Sequence, residues 1–155
     1  MGIQVGKKAP AFRLPDAKGR EVALADFAGR DVVVWFYPKD MTPGCTKEAC
    51  AFRDLWPKLK RRAALVGISP DKPERHVAFI EAHDLPFPLL ADPERKVLTA
   101  YGAYGEKMMY GKKVMGVIRS TVWIGPDGKV KKHWPLVRKA AEHPAEVLAA
   151  LKDEA

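Results

Sequence analysis

Two cysteines are the side chains of this sequence best suited to covalent chemistry. Cys45 and Cys50 lie five residues apart and are the only cysteines in the chain. Before Cys45 comes the apolar run 32–37, which Pro38 closes, and this pattern predicts a buried strand that runs into a tight loop. A cysteine thiolate at such a place is a nucleophile, whereas a buried thiol is an inert packing group.

The loop before Cys45 favours the nucleophile. A helix is predicted over 45–61, so Cys45 lies at its start. Free backbone N–H groups and the positive end of the helix dipole both stabilise a thiolate there. Thr42 can direct its hydroxyl at the same point, and Pro38 and Pro43 stiffen the loop and shield the sulfur from water. This placement at the carboxyl end of a strand is where open α/β sheets hold their sites.

The cysteine count leaves two interpretations open. Two thiols in a cytosolic chain rarely form a structural disulfide, so Cys45 and Cys50 are either core thiols or a redox pair. The four histidines have no spacing typical of a zinc site. We therefore expect no metal and no cofactor.

The elements that must position these residues alternate between strands and helices. Strands are predicted at 31–37, 63–69, 87–90, 117–124 and 129–134, after a hairpin over 9–24 that turns at 16–19. Helices are predicted at 45–61, 72–83, 93–101 and 142–152, and 102–116 is predicted to be a loop. The order predicts an α/β fold with a mixed sheet.

Apolar spacing assigns a buried face to the first of these helices. In the first, Pro57 is expected to kink or break the helix, and the core-facing residues are Ala49, Phe52, Leu55, Trp56 and Leu59. In the helix over 72–83, the apolar members are Val77, Phe79 and Ile80.

Length and composition favour one soluble domain over residues 1–155. A 155-residue chain with 47% hydrophobic residues is typical of one globular domain and excludes wholesale disorder. The longest apolar run, 32–37, is far shorter than the ~20 residues of a membrane span. The first eight residues contain no apolar signal core, so the expected location is the cytoplasm.

The net charge of +8 raises a different hypothesis, a nucleic-acid-binding module. The basic residues are scattered along the chain, however, and no strand or helix carries the basic and aromatic stripe that stacks bases. We therefore expect no nucleic-acid partner; salt-dependent retention on DNA would support the module instead.

The loop around Cys45 resembles a known family. The pattern Pro-x-x-x-Thr-Pro-Gly-Cys over 38–45 is similar to the active-site loop of the peroxiredoxins. The continuation over 45–54 resembles the subfamily known as bacterioferritin comigratory protein or PrxQ, and so do segments at 101–107, 110–112 and 119–121. The likeness runs over residues 6–151; its main departure is Glu142-His143-Pro144, where relatives commonly have Gly-His-Ala.

This resemblance implies a thioredoxin-like fold, with a mixed central sheet flanked by helices and an N-terminal hairpin, and a thiol-dependent peroxidase. Cys45 is then the peroxidatic cysteine, which hydrogen peroxide or an organic hydroperoxide oxidises to a sulfenic acid. Cys50 is the resolving cysteine, which closes a disulfide that thioredoxin or a similar dithiol reduces. The implied roles of the remaining residues are to bind the peroxide (Thr42), stabilise the thiolate (Arg119), orient that arginine (Glu48) and shield the site (Pro38).

Two enzyme alternatives stay open beside this hypothesis. A thioredoxin-type disulfide oxidoreductase would use Cys-x-x-Cys, whereas four residues separate Cys45 from Cys50. In a one-Cys peroxidase, Cys50 would be only structural. On one ideal helix the two Cα atoms lie about 8.7 Å apart, and a disulfide needs ~7 Å or less, so resolution would have to unwind the helix start. The chain is expected to act as a monomer.

Overall fold

The structure is a computed structural model that describes residues 3–153. In chain order the strands are Arg13–Pro15 (β1), Glu21–Ala23 (β2), Val32–Phe36 (β3), Ala64–Ser69 (β4), Leu89–Ala91 (β5), Tyr104–Met109 (β6), Lys112–Val117 (β7), Ser120–Ile124 (β8) and Val130–Trp134 (β9). The α-helices are Pro43–Leu59 (α1), Pro73–His83 (α2), Lys96–Ala100 (α3) and His143–Asp153 (α4). A short 3₁₀ helix covers Leu24–Phe27. Within the described residues, no helix is long and apolar enough to cross a membrane.

A mixed five-stranded sheet in the order β5-β4-β3-β8-β9 forms the centre of the fold. Strand β3 pairs in parallel with β4 and antiparallel with β8. Every residue of β3 is buried, as its continuous apolar sequence predicts for a strand covered on both faces.

The alternation of β3 side chains divides the core into two layers. Val33 and Trp35 pack with α1, α2 and α4 on one face, where Phe52 and Phe79 are also buried. Val34 and the other alternate residues pack on the opposite face against α3 and the N-terminal segment. The helices α1 and α4 contact each other on the first face.

The N-terminal hairpin and the closing hairpin are confirmed. Strands β1 and β2 pair antiparallel, and Asp16 accepts hydrogen bonds from the N–H groups of Lys18 and Arg20 at 2.9 Å across the turn. Strands β8 and β9 pair around the turn at 125–128, where Gly128 has a φ of 81°. This left-handed angle suits glycine because it has no Cβ.

The prediction of a loop over 102–116 is wrong. Strands β6 and β7 form a separate two-stranded hairpin there, with Tyr110 and Gly111 at the turn and positive φ at both. The hairpin has little buried surface, since Met108, Met109 and Met115 are exposed, so the sequence shows no alternating apolar face. The predicted strand 117–124 is accordingly split, because its first residue ends β7.

Three smaller predictions about helices also need correction. Helix α1 begins at Pro43, two residues earlier than predicted, because proline suits the first turn of a helix. Pro57 lies inside α1 and does not break the helix, which ends only at Leu59. Because proline has no N–H, it leaves one backbone carbonyl of the preceding turn without its helical hydrogen bond. Helix α3 starts at Lys96 instead of Pro93.

Candidate active site

The start of α1 holds Cys45 below the surface. Strand β3 ends before Pro38, the chain turns, and Thr42 is the extended residue that precedes α1. Cys45 is the third residue of the helix and is fully buried, in contact with the core layer that contains Trp35. The predicted sequence of strand, loop and helix is therefore present.

The helix start supplies the electropositive surroundings that a thiolate needs. The first intrahelical hydrogen bond here runs from the N–H of Thr46 to the carbonyl of Thr42 at 2.9 Å. The N–H groups of Gly44 and Cys45 precede it, so no carbonyl one turn earlier can accept from them. Together with the helix dipole, they make the space beside the sulfur a binding site for negative charge.

Arg119 bridges Cys45 and Glu48. It lies in the two-residue connection between β7 and β8, and its Nη2 donates to Cys45 Sγ at 3.3 Å while Nη1 donates to Glu48 Oε1 at 2.6 Å. Its side chain is 16% exposed, so the contact is largely shielded from water. These three residues, which the family resemblance connects in the sequence, therefore meet in one cluster.

Gly44 makes this approach possible, and the sequence analysis gave it no such role. A Cβ on Gly44 would lie 3.1 Å from Arg119 Nη2, closer than ordinary van der Waals contact. Any larger residue would push the guanidinium away from the sulfur. The signal in the sequence is a glycine directly before the cysteine, because the absence of a Cβ there leaves room for a side chain from another segment.

Glu48 is a buried acid with one satisfied oxygen. Among residues 3–153, none gives Oε2 a hydrogen bond, and the residue is fully buried. Burial raises the pKa of Glu48 from 4.5 to about 7, and the charge and hydrogen bond of Arg119 only partly oppose this. Arg119 remains a cation, since burial alone would lower its pKa but the charges of Glu48 and Cys45 raise it.

We expect Glu48→Gln to stabilise the protein more at high pH than at low pH. A carboxyl group whose pKa is raised to about 7 in the folded state disfavours folding progressively as pH rises from its unfolded value of 4.5 through 7. The amide has no charge to bury and can still accept from Arg119 through its oxygen. Melting temperatures of both proteins at about pH 5 and about pH 8 check the sign. If the melting temperature of Glu48→Gln relative to that of wild type falls between about pH 5 and about pH 8, the prediction is contradicted.

Thr42 directly precedes α1, and Pro38 follows β3. Thr42 donates its hydroxyl proton to the carbonyl of Lys39 at 2.8 Å instead of capping α1. Its oxygen therefore keeps lone pairs that can accept a hydrogen bond from a ligand. Pro38 is half-buried and lines the cavity beside Arg119.

Cys50 lies on the same helix as Cys45, and the structure holds both as free thiols. Cys50 is partly exposed, whereas Cys45 is buried. Helix α1 is continuous from Pro43 to Leu59 and so includes both residues in helical geometry.

An open cavity of about 740 Å³ adjoins Arg119. The hairpin β6–β7 forms one wall with Met108 and Met109, and Leu136 forms part of the other. The cavity leads from the solvent to the guanidinium through a largely apolar lining. It was not anticipated from the sequence, because 102–116 was predicted to be a loop. Among the described residues, no group of three His, Cys, Asp or Glu side chains could hold a metal ion.

Comparison with known proteins assigns the family. Residues 5–133 match the model of the AhpC/TSA family. The chain belongs to this family. It is 46% identical to the peroxiredoxin Bcp of Bacillus subtilis over 154 residues, which is 99% of this chain and 98% of that protein.

Solved structures of this peroxiredoxin family agree with that result. A structure of the bacterioferritin comigratory protein of Xanthomonas campestris, from work on its alkyl peroxide reduction activity, superimposes with a TM-score of 0.89 at 36% identity and covers 97% of this chain and 99% of that chain. A cysteine-to-serine mutant of PrxQ from Xylella fastidiosa gives a TM-score of 0.92 at 30% identity, with 99% and 98% covered.

The family assignment confirms the thioredoxin-like fold and the enzyme class predicted from the sequence. This peroxiredoxin is a thiol peroxidase, with a peroxide as substrate and a thioredoxin-like reductant. In this chain a buried cysteine, an arginine and a helix N-terminus lie together at the start of α1.

Proposed function

We propose that Cys45 is the peroxidatic cysteine and that Arg119 activates it. The observation that supports this most is the 3.3 Å hydrogen bond from Arg119 Nη2 to Cys45 Sγ at the start of α1. A buried sulfur beside a cation and free N–H groups is more nucleophilic than an ordinary thiol, because its thiolate is stabilised. The thiolate attacks one oxygen of the hydroperoxide, the O–O bond breaks, and Cys45 becomes a sulfenic acid. The leaving oxygen takes up a proton and departs as water or an alcohol.

Arg119 and Thr42 divide the recognition of the peroxide between them. Negative charge develops on the leaving oxygen as the O–O bond breaks, and a cation already fixed in place stabilises it without reorganisation. Thr42 donates its hydroxyl proton to the carbonyl of Lys39, so its oxygen is free to accept a hydrogen bond from the O–H of the incoming peroxide. Pro38 lines the approach without a backbone donor that would compete for the substrate.

Glu48 acts on the reaction through Arg119. Its carboxyl holds Nη1 at 2.6 Å and so directs Nη2 at the sulfur. This role needs an acceptor oxygen and no full negative charge, which is consistent with the raised pKa of Glu48.

The substrates we propose are hydrogen peroxide and organic hydroperoxides. The cavity beside Arg119 supports the organic class, because its methionine, leucine and isoleucine side chains offer apolar contacts to an alkyl group. The Xanthomonas campestris relative has alkyl peroxide reduction activity, and the same activity is proposed here.

Resolution by Cys50 completes the catalytic cycle that we propose. Its thiol attacks the sulfenic sulfur of Cys45, a disulfide forms, and the sulfenic oxygen leaves as water. Because five helical residues put the Cα atoms about 8.7 Å apart, the first turns of α1 must open for this bond to form. The N-terminal turn is the part of a helix that opens at least cost.

A thioredoxin-like dithiol is then proposed to reduce the disulfide by exchange, which regenerates both thiols. The proposed setting is the reducing cytoplasm, where a cysteine pair of this kind is typically catalytic. We further propose that the chain is a single domain that works as a monomer without a nucleic-acid partner.

One observation favours a second candidate, a one-Cys peroxidase. The unbroken helix from Pro43 to Leu59 keeps Cys45 and Cys50 apart, so Cys50 would be only a packing residue if the helix never opened. A coupled assay with thioredoxin, its reductase and two hydroperoxides separates the candidates when it is run on cysteine variants.

We expect Cys50→Ser to react once with peroxide and then to lose turnover with thioredoxin. Peroxide oxidation needs only Cys45, whereas disulfide formation needs a second thiol. The sulfenic acid should persist and overoxidise in excess peroxide, which the intact mass shows as added oxygen. Wild type treated in the same way is the control. Continued thioredoxin-linked turnover in the variant would leave the one-Cys mechanism in place.

A further inference from the structure

A buried hydrogen-bond network fixes the loop that precedes Cys45. Asp40 lies between Pro38 and Thr42 and is fully buried. Tyr37 donates its hydroxyl to Asp40 Oδ1 at 2.6 Å, and His76 of α2 meets Asp40 Oδ2 through Nδ1 at 2.5 Å. All three side chains are inaccessible to solvent.

Counting protons shows how this network is held together. His76 Nε2 lies 3.0 Å from the carbonyl oxygen of Leu90, which can only accept, so Nε2 carries a proton. The contact between Nδ1 and Asp40 Oδ2 then needs one more proton, on either atom. Burial raises the pKa of Tyr37 above its ordinary range, so the phenol stays a donor. Each polar atom of the three side chains therefore has a matched partner.

The backbone of Asp40 is fixed as well. Its N–H donates to Asp71 Oδ2 at 2.7 Å, and its carbonyl accepts from Arg75 Nη2 at 3.1 Å. Asp71 is itself held by the hydroxyl of Ser69, at the end of β4. Side chain and backbone together tie this one loop residue to β3, β4 and α2.

The next residue shows what these contacts hold in place. Met41 has a φ of 69°, in the left-handed region that costs a non-glycine residue free energy. Its side chain is 48% exposed, so packing of Met41 itself does not enforce this angle. Strained backbone persists only where neighbours impose it, and the neighbour here is Asp40. The left-handed turn then delivers Thr42 to the start of α1.

We propose that Asp40 and His76 are positioning residues for the peroxide reaction. Their buried hydrogen bond holds the turn at Met41, and the turn sets Thr42 at the position directly before α1, the helix that carries Cys45. They act through the loop and do not touch the substrate. This inference rests on the proposed roles of Cys45 and Thr42.

The test compares Asp40→Ala with Asp40→Asn in two reactions of Cys45. Oxidation by stoichiometric peroxide needs Thr42 in place, whereas alkylation by iodoacetamide needs only an accessible thiolate. We expect Asp40→Ala to slow oxidation by ~10²-fold, as misplacement of a reacting group by about 1 Å does, with alkylation little changed. The asparagine amide can accept from Tyr37 and donate to His76 Nδ1, so Asp40→Asn should restore oxidation to near the wild-type rate.

Asp31→Ala is the matched control. Asp31 is a partly buried aspartate at the opposite end of β3 from Pro38, where it accepts a hydrogen bond from Trp123 Nε1 at 2.8 Å. It should lower stability without changing either rate.

Three results would overturn the proposal. The first is an oxidation rate in folded Asp40→Ala equal to that of wild type, and the second is an equal slowing of oxidation and alkylation in that variant. The third is an oxidation rate in Asp40→Asn as low as in Asp40→Ala. If Asp40→Ala does not fold, His76→Phe removes the hydrogen bond to Asp40 Oδ2, and an unchanged oxidation rate in folded His76→Phe would overturn the proposal. Wild type that peroxide does not oxidise at Cys45 would instead refute the proposed function.

Discussion

Cys45→Ser is expected to abolish peroxidase activity in the coupled assay with thioredoxin and its reductase. A serine hydroxyl is a far weaker acid and nucleophile than a thiol, and its oxygen does not cycle through a sulfenic acid. The substitution is nearly isosteric, so the hydrogen bond from Arg119 and the start of α1 should remain. NADPH consumption with hydrogen peroxide and with an alkyl hydroperoxide measures the loss.

The matched control for this variant is Cys50→Ser, which makes the same change five residues along α1. It should still consume one equivalent of peroxide in the absence of thioredoxin, whereas Cys45→Ser should consume none. Turnover of Cys45→Ser near the wild-type rate would refute the assignment of Cys45 as the nucleophile.

Arg119→Met should slow the reaction of Cys45 with peroxide by ~10²–10³-fold, the usual cost of losing one preorganised donor to developing charge. Methionine keeps much of the volume but removes the donor to Cys45 Sγ and leaves Glu48 without its partner. Stopped-flow measurement of the second-order rate constant for oxidation gives the size of the effect.

Arg13→Met is the control for loss of one positive charge. Arg13 forms an exposed ion pair with Glu21 on the N-terminal hairpin, and exposed ion pairs contribute little to the stability of the folded protein. Its rate constant should equal that of wild type. An unchanged rate constant in Arg119→Met would remove Arg119 from the mechanism.

The parts of the fold that the sequence predicted are those with a strong local pattern. The apolar run 32–37 is short, rich in valine and aromatic residues and closed by Pro38, which favours a strand covered on both faces. Pro38 and Pro43 delimit the loop that follows. That pattern was sufficient to place Cys45 at a helix start, as found. The arginine is different, because nothing local distinguishes Arg119 from a surface charge on a strand. Only the family resemblance connected it with Cys45.

The parts that the sequence did not predict depend on contacts between distant segments. The hairpin β6–β7 buries little, so its residues lack the alternation that identifies a strand. Asp40 and His76 are 36 residues apart and meet only when α2 packs beside the loop. Pro57 was expected to disturb α1, but the helix continues through Pro57 to Leu59, whose side chain packs in the core.

The central claim is that Cys45 is oxidised and that Cys50 resolves it by opening α1. Hydrogen-exchange mass spectrometry of wild type, before and after one equivalent of hydrogen peroxide, tests this most directly. The account predicts that peptides containing Cys45 and Cys50 become linked with the loss of two hydrogen atoms, and that amides over 45–53 exchange faster in the linked form than in the dithiol form. An unlinked Cys45 that carries one added oxygen, or a linked pair whose helix exchanges as slowly as before, would contradict it.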